Sequence, residues 1–383
     1  MRAERVAHGG FVVARHEGVV VFVRHAIPGE RVVAQVTEGR EGDRFLRADA
    51  VEVLEPGDDR VEPPCPYARP GLCGGCDFQH VALPAQRALK AAVVEEQLER
   101  LAGIRRPVEV EPVPGDADGL DWRTRVQWAV RNDGTVGLRK HRSHDVVAID
   151  DCRIADPRLP PPRAPRGATS VETLVSSAGE RLVLTTTPGG VRTQGPQVLH
   201  ESAAGRTWQV TGSGFWQVHP GAADTLATAV LDGLSPRAGE RALDLYAGVG
   251  LFSAPLAGLV GPAGHVVAVE ADEEAAGDAV ANLADLPQVE VVHAPVTRAL
   301  GSVEDVDLVV LDPPRTGAKS DVVAALAALE PRAVAYVACD PAALARDLAS
   351  FAEHGYRLES LRAFDLFPMT HHVECVAVLA RAS

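Results

Sequence analysis

The stretch AVAYVACDPAALARDL, residues 333–348, decides the fold. Apolar residues run up to Cys339, and Asp340-Pro341 then opens a helix-like sequence. This reads as a strand and a helix with a thiol at the carboxyl end of the strand, where open α/β sheets place their chemistry. Two patterns in the same half repeat the design. RALDLYAGVGLFSAPLA (241–257) reads as strand, Gly-rich turn and helix, and LVVLDPPRTGA (308–318) as a strand ending in Asp312-Pro-Pro-Arg315. Strand and helix alternate from about residue 235, with HVVAVEAD and VEVVHAPV between those two segments. That alternation predicts a parallel, doubly wound sheet of the α/β class. The last two runs, YRLESLRAFDLFP and HVECVAVLA, predict an antiparallel pair at its edge.

Upstream the pattern changes twice. Residues 1–60 alternate β-rich runs with Gly turns, as in GGFVVARHEG and VVVFVRHAIPGE. Five short strands without helical period predict a small barrel of the oligonucleotide-binding kind, with an SH3-like or other small barrel without a ligand as the competing reading. Residues 61–234 are expected to form a central α+β domain. It comprises a cysteine segment, an amphipathic helix over 83–103, strands from 107 to about 152, a loop over the Pro-rich 155–168, and a helix entered from the turn at 212–220. Residues 235–383 make the third domain.

A chain of 383 residues has room for two or three domains. No apolar run reaches a membrane span, and MRAERVAHGG has no signal-peptide core. A cytoplasmic protein without membrane contact is expected, with no obligate protein partner and a monomer as the default. The six cysteines then read as metal ligands or catalytic thiols rather than disulfides. The formal charge of −14 argues against nucleic acid as a partner, but the acidity is concentrated in residues 201–383, with 11 Lys and Arg against 24 Asp and Glu. By contrast WRTRVQWAVRNDGTVGLRKHR (122–142) holds six basic residues and one acid, with two interleaved Trp. A solvated hairpin face and a nucleic-acid surface, in which Arg123 and Arg125 face the substrate, both account for it.

Cys65, Cys73 and Cys76 are spaced C-x7-C-x2-C, and Cys152 is the one further cysteine before the C-terminal half. Four thiolates could hold a tetrahedral zinc or an iron–sulfur cluster; three clustered ligands and a distant fourth suit a cubane better than zinc. In Asp244–Gly250, Gly248 lets a cofactor approach the backbone, but the third Gly of a dinucleotide fingerprint is missing. Glu270 ends the next strand, placed to accept from a ribose diol. An adenosine with a non-phosphate tail, S-adenosylmethionine, fits this pair; a charge at a helix N-terminus is the competing reading of Glu270. Amino-group methyltransferases carry an aromatic where Arg315 stands, which speaks against exocyclic-amine chemistry. Cys339 at a strand tip could add to carbon 6 of uracil and make carbon 5 nucleophilic toward a sulfonium methyl. Glu374, an acid in an apolar strand, could then take the carbon-5 proton. An inert core thiol and a paired structural carboxylate are the competing readings, Cys375 reads as core, and His371 and His372 read as loop residues.

These motifs together resemble the RNA uracil-5 methyltransferase family over essentially the whole chain. GGFVVARHEG and VFVRHAIPGERV are similar to the opening of a TRAM domain, CGGCDFQH with LPAQRALK to the family's cluster segment, and DPAALARDL with DLFPMTHHVECV to its catalytic motifs. The resemblance implies a Rossmann-like class I methyltransferase domain behind a TRAM barrel, acting on uridine in structured RNA, with ribosomal RNA as the first reading. Transfer-RNA uridine, RNA cytidine, and a non-catalytic RNA-binding protein on a decayed methyltransferase frame are the alternatives. By it, Cys65, Cys73, Cys76 and Cys152 would bind a 4Fe–4S cluster. Gln217, Tyr246, Glu270 and Asp312 would contact S-adenosylmethionine, Phe215 would lie near the target base or cofactor, Cys339 would be the nucleophile and Glu374 the proton acceptor. The chain departs from the family's pattern at Ala338 and Asp340 around the nucleophile, at His219, at Leu251 and at HAPV (293–296). Asp340 is expected to add a negative charge beside the thiolate.

Overall fold

The computed structural model describes residues 1–382. Its N-terminal strands β1 (Ala3–Ala7), β2 (Phe11–His16), β3 (Val19–Arg24), β4 (Arg31–Glu38) and β5 (Phe45–Glu55) form one sheet in the order β1-β2-β3-β5-β4. A bridge from Arg2 to Arg31 and the bond from Ala3 N–H to the Glu30 carbonyl join β1 to β4, which closes the sheet into a barrel. Inward-facing Ala3, Val12, Ala14, Val21, Val23, Val32 and Ala48 fill it. Small and β-branched side chains are what so narrow a lumen admits.

After the cysteine segment comes α1 (Leu83–Ala102), ended by Gly103 in the left-handed conformation. Strand β6 (Val110–Pro112) follows. An antiparallel sheet then runs in the order β12-β11-β10-β7-β8-β9, from β7 (Arg125–Val130), β8 (Val136–Arg139), β9 (Val146–Ala148), β10 (Ser170–Val175), β11 (Arg181–Thr187) and β12 (Gly190–Gln194). The Pro-rich stretch between β9 and β10 has no regular element, as Pro dictates. The hairpin β13 (Val198–Ala203) and β14 (Arg206–Thr211) leads through the turn at 212–220 into α2 (Ala222–Leu234).

The remaining elements are β15 (Arg241–Leu245), α3 (Ser253–Val260), β16 (His265–Glu270), α4 (Glu273–Asn282), β17 (Val289–His293), α5 (Val296–Ala299), β18 (Leu308–Leu311), α6 (Ser320–Ala328), β19 (Ala333–Ala338), α7 (Pro341–Glu353), β20 (Tyr356–Asp365) and β21 (Glu374–Arg381). The sheet order is β17-β16-β15-β18-β19-β21-β20-β6. Alternate residues bury opposite faces: Ala242, Val310, Ala335 and Val337 pack with α2 and α3, while Leu243, Val309, Val334 and Tyr336 pack with α1, α6 and α7. Strands β15 to β19 are parallel and β21 runs antiparallel between β19 and β20.

One expectation is corrected. The antiparallel pair is not the edge, because β6 lies parallel to β20 outside it. From within 61–234, β6 joins the large sheet and α1 and α2 cover its two faces. A three-residue strand and helices that cover a distant sheet leave no local trace of their partner.

Candidate active site

The β19–β21 ladder ends with Ala338 opposite Cys375, so the next residues, Cys339 and Glu374, face each other across the two strand tips. Glu374 is 4% exposed. Burial, and Asp312 after it, push its carboxyl well above the ordinary range, against the opposing pull of Arg315. Burial, Glu374 and Asp312 likewise push the Cys339 thiol up to about 12, and Arg315 pulls the other way. Sequence thus brings Cys339, Glu374, Asp312 and Arg315 into one cluster. Asp312 is itself pushed up to about 7 by burial and by Asp244 beside it.

The loop that carries Asp312 and Arg315 is fastened by residues the sequence did not single out. Asp347 of α7 accepts from the Tyr336 hydroxyl at 2.6 Å and from the Ala318 N–H at 2.7 Å. A Cβ at Gly317 would sit 2.5 Å from the Asp347 carboxylate, so only glycine lets the loop lie there.

The Asp340 carboxylate next to Cys339 is engaged by other partners. Its Oδ1 accepts from the Ala343 N–H and caps α7, and its Oδ2 faces His8 of the barrel at 3.1 Å. Burial opposes its ionisation, but His8 and the cap outweigh that and hold it below the usual range.

At the neighbouring tips, Tyr246 has a φ of 61° and Gly248 one of 55°, which turns the chain sharply after β15. A Cβ at Gly248 would meet nothing within 4 Å, so the turn borders open space. Glu270 accepts from the Gly248 N–H at 2.8 Å and from those of Ala271 and Asp272 at 2.7 and 2.8 Å. Asp244 is wholly buried and pushed up to about 7, by burial chiefly, though Ser253 Oγ donates to it at 2.5 Å. Its other oxygen finds no partner among the described residues. Leu251 lies in the core, and His219 is buried against Trp122.

Gln217 is half-buried and Phe215 is 68% exposed. The basic strip divides. Arg125 is spent internally: it pairs with Glu172 at 2.7 Å and donates to the Gly214 and Ser213 carbonyls, fixing the turn that presents Phe215. Arg123 donates to the Arg125 carbonyl and lines a cavity with the cysteines. Trp122 and Trp128 have no exposure, and Trp128 donates to Thr173. Trp128 is core because every second residue of β7 points inward, and Trp122, ahead of β7, is buried with Ile154 and Met369.

Cys65, Cys73, Cys76 and Cys152 line one cavity of about 680 Å³. The segment is pressed onto the β8–β9 hairpin: Gly74 N–H donates to the Arg139 carbonyl, and a Cβ at Gly74 would fall 2.2 Å from the His141 nitrogen. Burial and then the facing thiols push Cys76 up, and burial drives Cys73 and Cys152 the same way. No three metal-ligating side chains among the described residues close on a single ion position.

A doubly wound sheet with a Gly turn, an acidic second strand tip and a thiol facing a buried carboxyl defines a class I methyltransferase fold. Comparison with known proteins carries this further. Residues 299–382 match the tRNA (uracil-5-)-methyltransferase family model and residues 3–51 match the TRAM domain. An uncharacterized RNA methyltransferase of Streptomyces coelicolor is 50% identical over 99% of this chain and 92% of its own length. A 23S rRNA (uracil(1939)-C(5))-methyltransferase of Chromohalobacter salexigens is 35% identical over 99% of this chain and 88% of that one. The Pyrococcus abyssi tRNA (uracil-54, C5)-methyltransferase, solved with S-adenosyl-L-homocysteine, superposes with a TM-score of 0.77 at 22% identity, over 99% of this chain and 100% of that one. The chain belongs to the RNA uracil-5 methyltransferase family and is a methyltransferase. No helix among the described residues is long and apolar enough to cross a membrane.

Proposed function

We propose that this enzyme methylates carbon 5 of uridine in structured RNA, with 23S ribosomal RNA as substrate, through a covalent bond from Cys339. The observation that carries the reading is the pairing of Cys339 and Glu374 across the tips of β19 and β21. S-adenosylmethionine supplies the methyl group as an electrophile. Open space at Gly248, the acceptors of Glu270 and the unpartnered oxygen of Asp244 fit it, and Gln217, Tyr246, Gly248, Glu270 and Asp312 would hold it.

The Cys339 sulfur bonds to carbon 6 of a uracil flipped from its stack, and the ring electrons shift to carbon 5. Carbon 5 takes the methyl as its bond to the sulfonium sulfur breaks, which would leave a neutral thioether. Glu374 then removes the carbon-5 proton, the electron pair restores the 5,6 double bond, and the sulfur–carbon bond breaks. Both groups act deprotonated although their surroundings keep them protonated. Arg315 is the cation that favours both anions, and exposed Phe215 offers a face for the base.

Cys65, Cys73, Cys76 and Cys152 would hold a 4Fe–4S cluster. In a cubane each thiolate meets its own iron, which asks for sulfurs spread about one cavity rather than a tight single-ion site. The barrel of residues 1–60 and Arg123 would face the RNA. The ribosomal assignment rests on the 35% identity to the 23S rRNA enzyme. Wild type and Cys339→Ala are incubated with 23S rRNA and tRNA transcripts, and nucleosides are read by mass spectrometry. Wild type is expected to form 5-methyluridine in the rRNA and the variant none. Methylation retained by the variant rules out the covalent route, and product in tRNA alone moves the substrate.

A further inference from the structure

The segment that carries the cysteines is fastened to the loop that leads into Glu374. The Asp77 and Phe78 N–H groups both donate to the Met369 carbonyl at 3.0 Å. Asp77 Oδ2 accepts from the His371 backbone N–H at 3.1 Å and lies 2.6 Å from the His371 ring Nδ1. Asp77 directly follows Cys76, and His371 stands three residues before Glu374. The contact is sealed from the barrel side. Arg24 of β3 donates to Asp77 Oδ1 and to the Cys76 carbonyl, both at 3.3 Å. A Cβ at Gly10 would sit 2.9 Å from Asp77 and 3.0 Å from His371, so only glycine permits the approach. Asp77 is 7% exposed. A buried carboxylate that spends both oxygens on two other domains fixes their relative position.

We propose that Asp77 and His371 are positioning residues that transmit the placement of the cysteine segment to Glu374, so that an ordered cysteine cavity keeps the base aligned for the carbon-5 proton. This rests on the reading of Glu374 as that base. It gives the cavity a part in a reaction that moves no electrons: it sets when the adduct is released rather than how it forms. If the link is broken, Cys339 still attacks and carbon 5 is still methylated, but the proton leaves slowly and the RNA stays bonded to the enzyme.

The test uses full-length Asp77→Ala, His371→Ala and the double variant, with wild type and Glu374→Gln as references. Denaturing gels follow the protein–RNA adduct, single-turnover assays follow methyl transfer, and bound iron and zinc are measured. Hydrogen exchange over residues 366–373 supplies a readout independent of turnover. Each single variant is expected to release the adduct roughly tenfold more slowly, as loss of a charge-assisted hydrogen bond allows. Methyl transfer and metal content stay at wild-type level, exchange in 366–373 rises, and the double variant is no worse than either single. Adduct release at the wild-type rate in folded, metal-replete variants overturns the proposal, as does slowing of methyl transfer and release together. Should Glu374→Gln itself accumulate no adduct, the reading of Glu374 falls instead, and the two failures are distinct.

Discussion

Cys339 and three cysteines of the cavity, Cys73, Cys76 and Cys152, are all pushed above the ordinary thiol range with burial as the largest cause, yet their other neighbours differ. At the strand tips the thiol faces the carboxyls of Glu374 and Asp312 and the guanidinium of Arg315. In the cavity the thiols face one another. Four cysteines around one cavity fit the proposed cluster, whose cationic iron would offset their charge. On the proposed mechanism the lone thiol beside acids is a nucleophile that stays protonated, and so guarded against idle oxidation, until a substrate arrives.

The sharpest way to break this comparison is pH. A thiol at about 12 is ionised to roughly one part in 10⁵ at pH 7. On the proposed mechanism Cys339 and Glu374 both act deprotonated, and both are shifted upward. Raising pH from 6 to 8 is therefore expected to increase the single-turnover rate by up to about a hundredfold; a flat profile would mean that the thiolate is already formed. Next in size is the cavity. Cys76→Ala is expected to lose bound iron and to lower Tm by roughly 10 °C, whereas Cys339→Ala should leave metal content and Tm unchanged. Equal metal loss in both would erase the distinction. The smallest effect belongs to Arg125, which fixes the 213–214 turn rather than RNA. Arg125→Ala should raise KM for RNA by about threefold, and its dependence on salt should match that of wild type, since no phosphate contact is lost. A weakened salt dependence would return Arg125 to the RNA-facing surface.

The strand tips were legible because their chemistry is local. Apolar runs ending in Cys339 and Asp312 announce strands and what stands at their ends, and Glu374 follows from an acid in an apolar run. The barrel was legible from its turns. What failed depended on partners far along the chain. The strip of Trp122 and Trp128 among arginines read equally as a solvated hairpin face or a nucleic-acid surface, and both Trp are core. Asp340 is a charge next to Cys339, but its role as a helix cap facing His8, 332 positions earlier in sequence, was not foreseen. The bond between Asp77 and His371 spans 294 residues, and neither residue type signals it.

The central claim is that the Cys339 sulfur bonds to the pyrimidine and Glu374 is needed to release it. Glu374→Gln incubated with S-adenosylmethionine and uridine RNA, run on a denaturing gel and mapped by peptide mass spectrometry, tests both halves together. A stable RNA–protein band in which Cys339 carries a methylated nucleotide is expected. Undiminished turnover without such a band, or a nucleotide attached at another residue, would contradict it.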